Sequence, residues 1–368
     1  MKKLLFICNV DWFFISHRLP IALQAIKDGW DVYLATGVTD KKDYLEGVGL
    51  KVYDVPIKRS SVSLLDELRL FHSLNKVVKL VRPDVVHSIT IKCVIYGGLI
   101  SRIHKIEKKV ASISGLGYTF IEQSYKARVL RIIVKVLYKL ALCPSTKVIF
   151  QNESDKSIFV DNRLIASYQC LLIRGSGVDL NKFQYKPEPN SLKTVIFLAR
   201  LLKDKGLIEF CTAAETLQNK VKARFVLVGE LDPENPNSIT KVELSRYIDE
   251  GIVEHWGYSR NVESVIHMSH IMVLPSYREG LPKSLLEAAA CGRAVITTDV
   301  PGCRDAIEKN KTGLLVKVKS SDELVKAILK LLSDDSLRIS FGKAGRQLAE
   351  ESFNIDDVVA THMTIYRG

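Results

Sequence analysis

Residues 278–292, REGLPKSLLEAAACG, place a flexible glycine and a stiff proline directly before an alanine-rich segment. The preceding residues 270–276 (HIMVLPS) form a short apolar run that predicts a buried strand. Residues 283–291 contain helix-forming residues, Pro282 suits the first helical turn, and the final glycine suits the helix end. Residues 294–299 (AVITTD) predict the next strand. The order strand, loop, helix, strand predicts a parallel sheet with a right-handed crossover.

This stretch also contains two glutamates eight residues apart, Glu279 and Glu287. Ligands of open parallel sheets bind beyond the carboxyl ends of the strands, where Glu279 is expected to lie. Gly280 lets the backbone approach a ligand, and the helix N-terminus that follows favours phosphate. Glu287 falls in the second helical turn, where its carboxylate could accept hydrogen bonds from a ribose diol. The alternative is a surface loop with two solvated glutamates.

The 368 residues suggest two domains, because domains average about 150 residues. The predicted strands of the first half are KLLFICNV, DVYLATG, PDVVHSI, KKVASISGLG and KVIFQNE, and helices of 10–20 residues separate them. The pattern restarts near residues 171–183 (LLIRGSGVDLNKF), where we place the crossing between domains. A second alternating series follows, and residues 321–367 are helical by period. These alternations predict an α/β protein with two Rossmann-like, doubly wound domains facing a cleft.

The net charge of +12 is concentrated in the first half of the chain. Residues 1–180 contain 27 Lys and Arg against 16 Asp and Glu, a net charge of +11, whereas residues 181–368 contain 26 against 25. This asymmetry predicts an acidic partner such as anionic lipid, a diphosphate or nucleic acid. No nucleic-acid-binding motif and no basic patch interleaved with aromatic residues supports the last of these, so we expect no nucleic-acid partner.

A predicted helix near residues 126–143 combines a basic stripe with many aliphatic residues. The stripe consists of Arg128, Arg131, Lys135 and Lys139. Their spacings of 3, 4 and 4 place them within an arc of about 80° on a helical wheel. Such a stripe suits an anionic bilayer surface. The alternative is a core helix with a solvated basic face.

Cysteine use and hydropathy indicate the compartment. The seven cysteines are scattered, odd in number and without a CxxC pair, which favours buried thiols in a reducing compartment. The N-terminal apolar run ends at Asn9 and Asp11 without a small-residue cleavage site, so it predicts a first strand and not a signal peptide. No stretch of about 18 apolar residues lacks a charge, so we expect no transmembrane helix.

Taken in order along the chain, four motifs resemble glycosyltransferase family 4, which has the GT-B fold. They are IRGSGVDLNKF, FLARLLKDKG, VEHWGYSRNV and LPSYREGLPKSLLEAAACGRAVITTDVPGCRDAI, the last with the family's E-x7-E spacing. The segments VLYKLAL, VIFQNES and SGLGYTF are similar to bacterial α-1,3-N-acetylgalactosaminyltransferases that extend undecaprenyl-diphosphate-linked sugars in O-antigen and other glycan assembly. The resemblance covers essentially the whole chain.

The resemblance implies roles for residues of the second half. Glu279 would contact the hydroxyls of the donor sugar and stabilise charge at its anomeric carbon, and Glu287 would bind ribose. Arg200 and Lys205 would neutralise the leaving diphosphate, for which a guanidinium fork and an ammonium are both suited. The donor-binding set is completed by Gly280, Leu281, Pro282 and Gly257. No Asp-x-Asp triplet is present, so we expect no metal cofactor. The alternative for the two cations is a solvated loop.

Candidates in the first half are weaker. In many relatives a histidine after a strand of this domain touches the donor sugar, but the matching position here is Ser114. The candidates that face the acceptor or the cleft are His17, His87, Ser114, Gly115, Gly117 and Lys92. The alternative for His87 is a packed or capping histidine, and for Lys92 an ordinary surface lysine.

The resemblance implies a hexosyl or N-acetylhexosaminyl transferase. It would move a sugar with retention, N-acetylgalactosamine before galactose, from a UDP-sugar to a polyprenyl-diphosphate-linked N-acetylhexosamine. Residues 1–175 would bind the acceptor, residues 176–350 would bind the nucleotide sugar, and residues 351–368 would form a helix that returns to the first domain. We expect a cytoplasmic protein bound peripherally to the inner face of the cell membrane. The alternatives are a transferase with a soluble acceptor and a UDP-sugar epimerase.

Overall fold

The computed structural model describes residues 1–57, 63–116, 125–233 and 235–368, without the side chains of residues 125–127. Two compact units make up the chain. Unit 1 consists of Met1–Ser176 and Asp356–Gly368, and unit 2 consists of Gly177–Ile355.

Unit 1 is built on a seven-stranded sheet in the order β3-β2-β1-β4-β5-β6-β7, in which neighbouring strands are parallel. The strands are β1 (Lys3–Val10), β2 (Asp31–Gly37), β3 (Lys51–Asp54), β4 (Val85–Ile89), β5 (Lys108–Ile113), β6 (Thr146–Phe150) and β7 (Cys170–Leu172). The chain leaves β1 in one direction for β2 and β3 and then returns to the other side at β4. The space between β1 and β4 is therefore the topological switch point of this sheet.

Helices cover both faces of this sheet. They are α1 (Asp11–His17), α2 (Leu19–Lys27), α3 (Lys42–Gly47), α4 (Leu64–Val81), α5 (Ile91–Ile103), α6 (Tyr125–Ala141), α7 (Glu153–Asp161) and α14 (Ile355–Arg367). One face packs on α4, α5 and α6, through clusters that include Leu74, Ile100 and Tyr138. The opposite face packs on α2 and α14, and Tyr366 of α14 lies fully buried there.

Unit 2 contains a six-stranded sheet in the order β10-β9-β8-β11-β12-β13, again with parallel neighbours. Its strands are β8 (Lys193–Leu198), β9 (Ala223–Val228), β10 (Glu254–His255), β11 (Ile271–Leu274), β12 (Ala294–Thr298) and β13 (Gly313–Val316). Its helices are α8 (Leu207–Leu217), α9 (Lys241–Asp249), α10 (Val262–His267), α11 (Lys283–Ala290), α12 (Ser321–Ser333) and α13 (Asp335–Ser352). The switch point lies between β8 and β11, whose central residues are completely buried.

The two parallel, doubly wound sheets confirm the predicted fold class. The strand, helix and strand predicted around residues 278–292 are β11, α11 and β12, and Gly292 ends the helix with φ of 75°. The apolar N-terminal run is β1, as predicted. Six helices and strands were not predicted from the sequence: α1, α3, β3, α7, β7 and β13. Within the described ranges, none of the helices combines the length and the apolar character needed to cross a membrane.

Candidate functional site

The loops that follow β8 and β11 meet at the carboxyl edge of the unit 2 sheet. Gly206, with φ of 76°, starts α8 against β11, and a Cβ atom there would lie 2.2 Å from the carbonyl oxygen of Pro275. The backbone N–H of Tyr277 donates to the carbonyl oxygen of Asp204 at 2.9 Å. Only glycine permits this approach, which holds the two loops side by side at the switch point.

Lys205 and Glu279 form the centre of this edge. Lys205 Nζ lies 2.5 Å from Glu279 Oε1, and Ser276 Oγ donates to the same oxygen at 2.8 Å. The two charged side chains are only 20% and 13% exposed. A Cβ atom at Gly302, whose φ is 82°, would lie 2.4 Å from the carbonyl oxygen of Glu279. The glycine therefore lets the chain after β12 support the loop that positions Glu279.

Arg200, the second predicted cation, also has a carboxylate partner. Its Nη1 donates to Asp232 Oδ2 at 2.6 Å, and the Arg200 side chain remains 41% exposed. Asp232 follows β9, the strand next to β8, so its loop opens on the same edge of the sheet. Sequence reasoning missed Asp232. Its place four residues after the strand end was the available signal.

Glu287 lies on α11 and is almost completely buried, with 8% exposure. Burial raises the pKa of Glu287, and the nearby Lys283 ammonium opposes that rise. Lys283 Nζ lies 3.5 Å from Glu287 Oε1, one helical turn away. Lys283 was not among the predicted site residues, although the i, i+4 spacing indicates such a pair.

The remaining predicted donor-site residues lie at the carboxyl edge of unit 2. Gly280, Leu281 and Pro282 connect β11 to α11 and are buried, and Pro282 is the N-cap residue of α11. Gly257 follows β10 with φ of 68°, and its carbonyl oxygen accepts from the N–H of Gly229 at 2.9 Å. That conformation requires glycine at position 257 although a side chain there would meet open space.

His87 is a correction to the predicted set. It is fully buried in β4, with Nδ1 2.5 Å from the hydroxyl of Tyr366 and Nε2 2.7 Å from Ser112 Oγ. Burial, with help from the neighbouring His362, lowers the pKa of His87 well below its usual value. Both ring nitrogens are occupied inside unit 1, so His87 is a packed histidine and not a ligand-facing one.

Other unit 1 candidates lie on the helices that follow β1 and β4, and their roles stay predictions. His17 ends α1, stacks on Phe13 with ring centroids 4.1 Å apart, and donates from Nδ1 to the carbonyl oxygen of Phe13 at 3.2 Å. Lys92 lies in the first turn of α5 and its Nζ pairs with Glu67 Oε1 at 2.6 Å. Thr90, just before α5, has φ of 76°, which is strained for a β-branched residue. The sequence does not reveal this strain.

Ser114 and Gly115 follow β5 at the same edge. The Oγ atom of Ser114 is buried and has no hydrogen-bond partner within the described residues, and Gly115 has φ of 101°. Gly117 lies outside the described residues. The acceptor-facing roles of this loop therefore stay a prediction.

The predicted basic stripe lies on α6. Arg128 and Lys139 are exposed, Arg131 and Lys135 are half-buried, and Lys135 Nζ donates to Asn162 Oδ1 at 2.6 Å. Among the residues that the structure describes, no three His, Cys, Asp or Glu side chains are grouped to hold a metal ion. Metal independence stays a prediction that chelation can test.

The sequence matches two family models, one in each unit. The model described as "Glycosyl transferases group 1" matches residues 179–348, and that described as "Glycosyl transferase 4-like" matches residues 3–152. A Campylobacter jejuni relative, N,N'-diacetylbacillosaminyl-diphospho-undecaprenol alpha-1,3-N-acetylgalactosaminyltransferase, is 33% identical over 91% of this chain and 92% of its own. An Escherichia coli relative, UDP-Gal:alpha-D-GlcNAc-diphosphoundecaprenol alpha-1,3-galactosyltransferase, is 25% identical over 85% of this chain and 82% of its own.

Solved structures show the same fold at low sequence identity. Sucrose-phosphate synthase from Thermosynechococcus elongatus superposes with a TM-score of 0.82 at 19% identity, covering 100% of this chain and 98% of that one. Anabaena Alr3699/HepE, solved in complex with UDP and glucose, gives a TM-score of 0.79 at 15% identity, covering 99% of each chain.

Proposed function

The chain belongs to the group 1 glycosyltransferases of family 4 and has the GT-B fold, and from this premise we propose its substrates. It transfers a sugar from a UDP-sugar to a polyprenyl-diphosphate-linked N-acetylhexosamine, with retention of configuration at the anomeric carbon. N-acetylgalactosamine is the favoured sugar and galactose the second choice. The product is a lipid-linked intermediate of a bacterial surface glycan.

The observation that carries the proposal is the meeting of Lys205 and Glu279 at the switch point of unit 2. A nucleoside diphosphate leaves with negative charge on its oxygens, and a preorganised cation stabilises that charge. Arg200 lies on the same loop and offers a guanidinium, which suits a phosphate. Glu287 is buried on α11, the helix that directly follows the loop of Glu279. Its carboxylate can accept several hydrogen bonds and therefore suits the ribose hydroxyls.

We infer same-face attack for the chemical step. The bond between the anomeric carbon and the diphosphate oxygen breaks, and its electron pair stays on the diphosphate beside Lys205 and Arg200. An acceptor hydroxyl forms the new glycosidic bond on the same face and passes its proton to the leaving phosphate oxygen. Glu279 accepts hydrogen bonds from the sugar hydroxyls and stabilises the positive charge that develops at the anomeric carbon.

The acceptor and the favoured sugar rest on the relatives. Both the Campylobacter jejuni and the Escherichia coli enzymes are named for diphospho-undecaprenol acceptors. The N-acetylgalactosaminyl enzyme is the more similar of the two, at 33% against 25% identity, which favours that sugar. A lipid-linked acceptor requires contact with a membrane, and the +11 charge of residues 1–180 suits an anionic surface. We therefore propose a cytoplasmic protein bound peripherally to the inner face of the cell membrane.

The test is UDP release with UDP-GalNAc, UDP-Gal, UDP-GlcNAc and UDP-Glc, each with and without a synthetic lipid-diphosphate-linked N-acetylhexosamine. EDTA is present throughout, and parallel reactions contain added magnesium. Glu279→Gln tests the site, and Glu308→Gln is its matched control, because Glu308 forms an exposed surface pair with Lys311. NMR coupling constants of the product report the anomeric configuration.

Acceptor-dependent release with UDP-GalNAc, lost in Glu279→Gln and kept in Glu308→Gln, is the expected result. Release with UDP-Gal and with no other donor would show that galactose is the sugar transferred, and the proposed class of reaction would stand. Equal release with a soluble sugar acceptor would contradict the lipid-linked acceptor, and an interconverted UDP-sugar without transfer would favour an epimerase. An inverted product would refute same-face attack.

A further inference from the structure

Helix α6 presents its aliphatic residues to solvent. Five of them are between 41% and 60% exposed, a large fraction for side chains of this size. They are Val129, Ile132, Ile133, Val136 and Leu140. On the same helix Tyr138 is completely buried against Phe159 of α7. The helix therefore buries one apolar face in unit 1 and exposes a second apolar face.

The helical wheel gives these residues an order. At about 100° per residue, the five exposed aliphatic side chains share an arc of about 100°, centred opposite Tyr138. We call them the aliphatic arc. The basic stripe of Arg128, Arg131, Lys135 and Lys139 fills the flank between Tyr138 and the aliphatic arc. The outermost face of α6 is thus aliphatic, and the positive charges border it on one side.

A second helix of the same layer adds exposed leucines. Leu64, Leu65 and Leu68, in the first turns of α4, are 74%, 66% and 57% exposed. Helices α4 and α6 both pack on the sheet face that α5 covers, and α5 contacts both of them. Helix α4 precedes β4 and α6 follows β5 in a parallel sheet, so both helices begin at the carboxyl edge. The exposed apolar surface of α4 and α6 thus belongs to one layer of unit 1.

We propose that the aliphatic arc of α6 inserts into the interface of an anionic bilayer, with the basic stripe lying among the lipid headgroups. This inference rests on the proposed lipid-linked acceptor and specifies the membrane contact behind it. An interfacial helix needs an apolar face bordered by basic residues, and α6 has both in that order. Lys and Arg can extend their charged ends to the headgroups while their stems cover apolar surface. A protein partner would need acidic residues placed beside its own apolar surface, whereas an anionic bilayer presents negative headgroups and an apolar interior along the whole helix.

Insertion and surface attraction differ in their response to salt. Attraction of exposed charges to anionic headgroups is screened at high ionic strength, whereas burial of aliphatic surface is not. Insertion therefore leaves a salt-resistant part of the binding and also allows weaker binding to neutral lipid.

The experiment is flotation of the full chain with vesicles of phosphatidylcholine alone and of equal parts phosphatidylcholine and phosphatidylglycerol, at low and high salt. Ile132→Asp with Val136→Asp changes the aliphatic arc. Val242→Asp with Val318→Asp is the matched control, because these valines are 81% and 40% exposed in unit 2. Arg128→Ala with Lys139→Ala changes the basic stripe and spares Lys135, which contacts Asn162. Thermal unfolding checks each fold.

The arc variant is expected to bind mixed vesicles about 10-fold more weakly or worse at both salt concentrations, because two aliphatic side chains that would insert into the bilayer are replaced by carboxylates. The stripe variant is expected to bind more weakly than the unchanged protein at low salt and equally well at high salt. The control variant is expected to bind as the unchanged protein does. An arc variant that floats normally would overturn the proposal. Complete release of the unchanged protein by high salt would also overturn it. Self-association without lipid that the arc variant abolishes would overturn it as well, because the aliphatic arc would then contact a second copy of the chain. Because flotation needs no sugar transfer, failure of the proposed activity would be seen separately.

Discussion

Lys205→Met is expected to lower kcat/KM roughly 100- to 200-fold. Lys205 Nζ lies 2.5 Å from Glu279 Oε1 in a pair whose side chains are 20% and 13% exposed. At an effective dielectric constant of about 20, a phosphate oxygen about 4 Å from this ammonium gains about 4 kcal/mol. Separation from Glu279 offsets part of that gain. We take about 3 kcal/mol for the transition state, which corresponds to roughly 100- to 200-fold in rate.

Steady-state UDP release with a lipid-linked acceptor measures kcat and KM for this variant. The matched control is Lys203→Met, because Lys203 lies two residues earlier and pairs with Glu243 at 2.9 Å on an exposed surface. Such a pair contributes about 0–1 kcal/mol to stability, and we expect its loss to leave kcat/KM within about 2-fold. Equal losses in both variants would refute the reasoning. If the urea-unfolding midpoint shows that Lys205→Met is not folded under assay conditions, Lys205→Gln, which also removes the charge and stays polar, replaces it.

Three further predictions concern single side chains. Gly302→Ala is expected to lower the free energy of unfolding by about 1–3 kcal/mol and to remove most of the activity, since φ is 82° and the new Cβ would meet the Glu279 carbonyl. Urea unfolding measures this, and Gly47→Ala, where a Cβ atom would meet open space, is the control. Glu287→Gln is expected to weaken UDP binding about 10-fold by calorimetry. Burial raises the pKa of Glu287, so its carboxylate is protonated at a higher pH than usual. UDP affinity should therefore fall more on mild acidification in the unchanged protein than in the variant, since the terminal phosphate of UDP, with a pKa of about 6, affects both. Tyr366→Phe removes the hydroxyl that lies 2.5 Å from the buried Nδ1 of His87, and it should lower the free energy of unfolding by about 1–3 kcal/mol while UDP binding persists. An unchanged free energy of unfolding would contradict that contact.

Much of the fold follows from the sequence because buried parallel strands are continuous apolar runs. β1 and β2 match their predicted segments to the residue. β3 does not have that pattern: it is a four-residue edge strand with an exposed residue at each end. The helix α1, DWFFISH, was missed because its aromatic and β-branched residues are weak helix formers and its length of seven residues gives no clear period.

The candidate site was predictable where residues share a loop or a helix. Glu279 and Glu287 stood out by their spacing around a strand-to-helix turn. Asp232 did not, because it lies on a different loop and reaches Arg200 only through the strand order of the sheet. The sequence also could not predict which face of α6 packs on the sheet. A helix with two apolar faces has no single hydrophobic period that distinguishes the buried face from the exposed one. Burial of Tyr138 decides it.

Each cation of the unit 2 site already has a carboxylate partner, and this pairing predicts which ligands bind. The pairs are Arg200 with Asp232, Lys205 with Glu279, and Lys283 with Glu287. The phosphates of a nucleotide can replace the carboxylates, while ribose and sugar hydroxyls can donate to the carboxylates released. Inorganic diphosphate can replace the carboxylates as the partner of the cations, but it has no hydroxyls that donate to the carboxylates released. Glu287 and Glu279 would then be buried without hydrogen-bond donors, which is costly.

We therefore expect inorganic diphosphate to bind at least about 10-fold more weakly than UDP despite its higher charge, since the ribose contacts are missing. Its binding should also fall more steeply with salt, because charge is its only attraction. Calorimetric titrations of both ligands over a range of salt concentrations measure this difference. Glu308→Gln, which removes the carboxylate of the exposed pair between Glu308 and Lys311, serves as the matched control for a general change in charge. Equal affinity for the two ligands would mean that the buried carboxylates take no part in recognition, and that the site is a simple anion-binding loop.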